Sequence, residues 1–312
     1  MATMLEPTTT TTTTTPARKV DLTGRAVLVK LHVKCWPGVK QHRDLADEAM
    51  RAHGADPSTA KRLPVYLVSE SRLKELSKEA QAIRKYHNDT TLVWETGKQI
   101  LKSGQILEYT QTLRRMIPAY EQSAQQFIDD YPALKAEMIA KSGDIFTAKD
   151  HPAQSELAAK FTATFSIEPM AQTHWIVDAV GAEFQAIAAE YNEGQQARVK
   201  DAAADGWERL YKPLAHLAKT LTDPGAKFKD SLVGNVASIV DSLDALNLLD
   251  DPNLSALGDE IRRDILTAGP ATLYGAAETN PQELRDNQTK RQDIAAKASD
   301  IAAQMAGFMS ND

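Results

Sequence analysis

The first strong pattern along the chain has period two. Between residues 25 and 34, Val27, Val29, Leu31 and Val33 alternate with Leu28, Lys30, His32 and Lys34. This is the signature of a strand with one face on a core and the other toward water. Pro37-Gly38 ends it. PVYLVS at 64–69 reads as a second short strand, opened by a proline that a first strand position tolerates. In 91–104, LVW and QIL flank ETGK, and Gly97 can take the positive φ of a tight reversal, so a hairpin is predicted.

Between these pieces the period changes to that of a helix. Leu73, Leu76, Ala80 and Ile83 mark one over 71–86. After residue 104 the period is helical throughout. Residues 105–141 form one long helix or a pair broken near Pro118. Segment 170–221 carries two apolar stripes, Trp175, Val180, Phe184, Ile187 and Tyr191, then Trp207, Leu210, Leu214, Leu217 and Leu221. Asn192-Glu193-Gly194 between them marks a turn or only a weak point, since an interior glycine costs just ~1 kcal/mol relative to alanine. Shorter helices are predicted over 231–249, 254–266 and 281–308.

The predicted fold is therefore mainly α with a small N-terminal β element, built on long helical hairpins and not an OB-fold. Three regions follow. Residues 1–17, with an unbroken threonine run from Thr8 to Thr15, have too little apolar surface to offset the entropy of ordering and read as a disordered tail. Residues 18–104 form a mixed α/β region, and 105–312 a helical one. The last helix, 281–308, follows the linker-like AGPATLYGAAETNP and has an alanine-rich apolar face, so it suits a second copy as readily as its own chain. Self-association is expected.

Charge sharpens this division. The net charge is −6 over 312 residues, but from residue 16 to 115 there are 19 Lys and Arg against 11 Asp and Glu, and the remainder is strongly acidic. The N-terminal third is thus basic on a protein that is acidic overall. No apolar run approaches the ~20 residues of a membrane span. The N-terminus lacks the pattern of a secretory signal, which predicts a cytoplasmic protein, in the host cytoplasm if viral. With Cys35 the single cysteine, neither an internal disulfide nor a four-cysteine zinc site is available.

No catalytic pattern appears. Gly97-Lys98 lacks the rest of a phosphate loop, and His32, Cys35 and His42 are too sparse for zinc without a fourth ligand. The carboxylate clusters at Asp129-Asp130 and Asp250-Asp251 match solvated faces or caps better than acid/base pairs. The chain reads as a non-enzyme with no cofactor and no metal.

The remaining candidate is a nucleic-acid surface, in which cations follow phosphates and flat rings stack on bases. Arg25, Lys30, Lys34, Lys40, Arg43, Lys61, Arg62, Arg84 and Lys85 supply charge, and Trp36 supplies a ring. Tyr66, Tyr86, Trp94 and Lys98 extend the set, with Arg114 and Arg115 behind them. The same residues also read as core aromatics beside a solvated lysine face, and at this point both readings stand.

The order LVKLHVKCWPGVKQHRDLADEA, PVYLVSESRLKELSKEAQAIRKY, TLVWETGKQILKS and a long helix ending in FIDDYPALKAEM resembles a phage-encoded, largely uncharacterised protein family. The resemblance spans about 27–170. The overall layout is also similar to that of phage single-stranded-DNA-binding RNA polymerase cofactors of the Drc type, which act at melted promoters. That resemblance implies a helical DNA binder and transfers no individual residue. The expected function is sequence-independent single-stranded DNA binding in phage transcription or replication, with phage RNA polymerase as a partner. The alternatives are a protein-interaction subunit serving an AAA-type ATPase, and a virion or assembly component.

Overall fold

The period-two stretch is a nine-residue strand, β1 (Ala26–Lys34). The computed structural model describes residues 22, 24–59, 62–145, 148–170, 182–267, 271–272, 275–276 and 279–310. β1 lies inside a four-stranded antiparallel sheet, between β5 (Lys98–Lys102) and β6 (Thr162–Pro169), with β4 (Leu92–Glu95) outside β5. The hairpin joining β4 to β5 turns at Gly97, whose φ is +77°. A separate two-stranded ribbon pairs β2 (Val39–His42) with β3 (Leu63–Tyr66).

The two faces of β1 are buried differently. Val27, Val29, Leu31 and Val33 face α2 (Glu70–Thr90) and α3 (Ile106–Ser142), in a core with Leu76, Ile83, Leu113, Tyr120 and Phe127. On the other face Ala26 and Leu28 are buried with Leu92, Trp94 and Ile100, beneath Val199 and Ala202 of α5 (Ala182–Thr222) and beneath Leu246 and Leu248. His32 and Lys34, farther along that face, are exposed. Alternation therefore describes the second half of the strand, whereas the first half is covered on both sides.

The prolines do not break the long helices. α3 runs through Pro118 and Pro132, and at Pro132 the missing N–H strands the carbonyl of Ile128, which instead accepts from Gln154 Nε2 at 2.7 Å. α5 likewise continues through Gly194, so Asn192-Glu193-Gly194 is not a turn. Trp175 and Val180 lie outside the described residues, as do 1–17.

The C-terminal half of α5 anchors a helical bundle. Leu210, Leu214, Leu217 and Leu221 pack against α6 (Ser231–Asp241), α8 (Pro252–Ile261) and α10 (Gln288–Met309). α7 (Leu243–Leu246) separates α6 from α8, and α9 (Pro281–Asp286) precedes α10. The predicted helices 231–249 and 281–308 are thus each divided. The second divides at Asn287, whose side chain caps α10 by accepting from Lys290 N. The predicted helix 254–266 ends in a π-helical turn, Arg262–Leu266.

Two regional expectations are corrected. The sheet crosses the boundary at 104/105, because β6 comes from a stretch read as helical. Ala163, Phe165 and Ile167 pack against the core while Thr164, Ser166 and Glu168 alternate with them, so a period-two signal was present. The terminal helix is also not separate. Ile294, Ala298, Ile301 and Met305 of α10 are buried against α5 of the same chain. α1 (Asp44–Ala52), α4 (Gln154–Leu157) and β2 were not predicted.

Candidate nucleic-acid interface

After β1 the chain bends through residues 35–38 into β2. Gly38 holds the bend. Its φ is +58°, a Cβ there would collide with Leu73 Cδ1, and its carbonyl accepts from Leu67 N at 2.8 Å. The bend presses Trp36 edge-on against Phe127 and Tyr131, with centroids 6.4 Å and 6.0 Å away. Trp36 is nonetheless only half-buried. Its open side lines a polar cleft of about 480 Å³, together with Lys40, Lys149, Asp150, His151, Glu156 and Lys160.

Each lining residue has a structural reason to be there. Lys34 pairs with Thr162 at the end of the β1–β6 ladder, and the 3-10 turn Ala158–Lys160 that leads into β6 brings Lys160 to the same cleft as Trp36. His151 is buried, with Nε2 2.8 Å from the carbonyl of Leu67. Lys40 forms an ion pair with Asp150. Lys149 and Lys160 were missed because they belong to the cleft only through β6 and the segment before it, both outside the N-terminal third.

The β2–β3 ribbon adds a second group. His42 pairs with Leu63 at the end of the ribbon; Arg43 and Arg62 flank that last pair, and Arg43 has already turned into the αR conformation that opens α1. Both arginines are exposed, as is Tyr66 at 38%. Among the described residues neither arginine has an ion pair. Lys61 lies outside the described residues.

The other predicted cations lie elsewhere. Arg25 joins Lys102 on Asp250, at 2.6 Å for Arg25. Lys30 pairs with Glu168 at 2.6 Å, and Lys98 reaches the same carboxylate at 3.6 Å. These neighbours hold the Asp250 and Glu168 carboxyls below their ordinary range, chiefly through hydrogen bonds from Lys102 and Lys30. Lys85 pairs with Asp89, and Arg84 donates to the Val33 carbonyl at 2.8 Å. Lys34 is exposed, without an ion pair among the described residues. Exposed pairs of this kind contribute only ~0–1 kcal/mol each. They hold the lysines loosely but cancel their field, so the predicted cations among the described residues do not form one positive surface. Trp94 is core at 6% exposure. Tyr86 is half-buried and stacked on Tyr109 at 5.9 Å.

A buried polar pair lies beneath the sheet. His87 Nδ1 and the Tyr109 hydroxyl share a hydrogen bond of 2.7 Å. Burial lowers the His87 pKa to about 4 and raises that of Tyr109. Because the folded imidazole resists protonation, only the unfolded chain gains a proton between pH 6.5 and 4, and stability must fall as pH drops through that window. The expected loss is about 3 kcal/mol, since each pH step across that window removes ~1.4 kcal/mol. Urea unfolding at pH 7.5, 5.5 and 4.5 measures it, and His87→Phe should flatten that part of the profile. Burial likewise raises the pKa of the Cys35 thiol, which keeps it protonated near neutrality.

Elsewhere, an apolar cavity of about 610 Å³ opens between α5, Leu248 and Leu249, with Trp207 and Met309 in its wall. Among the described residues no group of three His, Cys, Asp or Glu side chains is placed to hold a metal ion, and no helix is long and apolar enough to cross a membrane. The fold thus defines a mainly α protein with a small antiparallel sheet that does not close into a barrel. No family model, curated protein or solved structure matches the chain.

Proposed function

We propose that this protein binds single-stranded DNA with little regard to sequence, through the Trp36 cleft and the neighbouring Arg43/Arg62 ribbon. The observation that carries this reading is the half-exposed Trp36 ring in one cleft with Lys40, Lys149 and Lys160. A ring can take a base while lysines take the flanking phosphates, with stacking worth ~1–3 kcal/mol per base. Asp150 and Glu156 line the same cleft, which points to modest affinity at each site. Assembly into a homo-oligomer belongs to the proposal, because linked clefts raise avidity without new contacts. The role in phage transcription, by recruiting RNA polymerase, or in replication rests on the resemblance in layout.

The test is a salt titration with fluorescein-labelled dT20. Three or four phosphate contacts give a log–log slope of about −2 to −3 for a single strand. Lys149→Glu with Lys160→Glu should weaken binding at least tenfold, whereas Lys30→Glu on the far face should change it little. Asp150→Asn, which releases Lys40, should strengthen it. No binding at 20 mM salt, or equal effects of the near and far reversals, overturns the assignment.

A further inference from the structure

β1 has an uncovered stretch of edge within the sheet. Its pairing with β5 stops at Val29 opposite Gln99, because the β4–β5 hairpin turns away after Lys98. The Arg25 carbonyl accepts from Ser103 N on this side at 2.8 Å, so the odd-numbered residues of β1 direct their backbone groups toward β5. Leu31 and Val33 therefore direct theirs into the gap. The Val33 carbonyl is met by Arg84. Among the described residues, no backbone group pairs with Leu31 or with the Val33 N–H along this edge. The gap opens into a cavity of about 570 Å³ whose wall includes Leu31, Val33, Arg84, Asn88, Val93 and the Glu95–Lys98 ion pair. Val93, at its mouth, is 57% exposed.

The outer edges of the same sheet carry features that discourage strand addition. β4 has an irregular register between Val93 and Glu95, and β6 ends in Glu168-Pro169. The inner ledge has neither feature.

From this we infer that the Leu31–Val33 edge is a docking site for an extended, acidic segment of a protein partner, added as a short antiparallel strand. Main-chain hydrogen bonds to both backbone groups of Leu31 and to the Val33 N–H fix its path. Alternate side chains of the added strand meet different chemistry. Those opposite Leu31 and Val33 lie beside these two side chains and Val93 and suit β-branched residues, with Arg84 and Asn88 lining the same space. Those beside His32 and Lys34, both exposed, meet cationic or protonatable neighbours and suit carboxylates. The site is separate from the Trp36 cleft and stands whether or not that cleft binds DNA.

The probe is acetyl-Val-Glu-Val-Glu-Val-amide, titrated into isotopically labelled full-length protein. The Leu31 and Val33 amide resonances should shift, and their exchange with water should slow at least tenfold at saturation. N-methylation of the probe's valines should weaken binding at least tenfold, as should Val93→Lys at the mouth or Lys34→Glu beside the edge. Lys149→Glu in the cleft should leave peptide binding unchanged. The inference is overturned by unperturbed Leu31 and Val33 amides at millimolar probe, by equal binding of the N-methylated probe, or by dT20 displacing the peptide from these amides.

Discussion

Replacing Arg291 with alanine should lower stability by about 3 kcal/mol, because buried acceptors left dry cost ~1–3 kcal/mol each. Arg291 is 5% exposed on α10, yet it forms no ion pair among the described residues. Its Nε donates to the Leu221 carbonyl at 3.0 Å, and Nη2 reaches those of Thr220 and Ala226 at 3.1 Å and that of Asp223. These carbonyls lie at and just beyond the C-terminus of α5, where helix geometry leaves acceptors unpaired and the macrodipole places negative charge. Phe228 supports the guanidinium 5.3 Å from its ring centroid. Arg291→Lys should recover less than half of the loss, since one compact ammonium cannot span four acceptors. In a thermal melt the alanine variant should fall by roughly 5–10 °C. A drop of under 2 °C would mean that water replaces the guanidinium.

Trp94→Ala should cost about 3–5 kcal/mol, the usual range for removing a large buried aromatic. Its indole fills the core between the sheet and α5, beside Leu92, Ile100 and Ala202. Trp36→Ala should cost less, because Trp36 is half-buried and its ring packs mainly edge-on, a geometry worth ~0.5–1.5 kcal/mol per aromatic pair beyond burial. Urea midpoints rank the two variants, and dT20 quenching of tryptophan fluorescence separates their roles. Quenching should persist at least in part in folded Trp94→Ala and be largely lost in Trp36→Ala. The reverse pattern would move the candidate interface away from the cleft.

Local patterns in the sequence located most elements, but not how they meet. Leu73, Leu76, Ala80 and Ile83 placed α2, and the LVW and QIL triplets placed the β4–β5 hairpin. Ala163, Phe165 and Ile167 show the same alternation as β1, but in only eight residues of a region that reads as helical in sequence. Trp36 and Trp94 look alike in sequence, and only the packing of α3 and α5 separates a half-open ring from a buried one. The charge count identified the basic third correctly as a composition. It was blind to Asp150, Glu168 and Asp250, acidic residues from beyond the basic third that fold back onto Lys40, Lys30 and Arg25.

The position of β6 in the chain also bears on synthesis. Lys34 leaves the ribosome about 130 residues before its ladder partner Thr162, a wait of roughly 6–26 s at ~5–20 residues per second. During that interval β1 has one long edge unsatisfied, and its Val/Leu face lacks the closing residues Ala163 and Phe165. A nascent chain in this condition is a template for pairing with its neighbours on a polysome. Fragments that stop short of Pro169 keep that exposure permanently, so soluble expression should improve sharply once β6 is included.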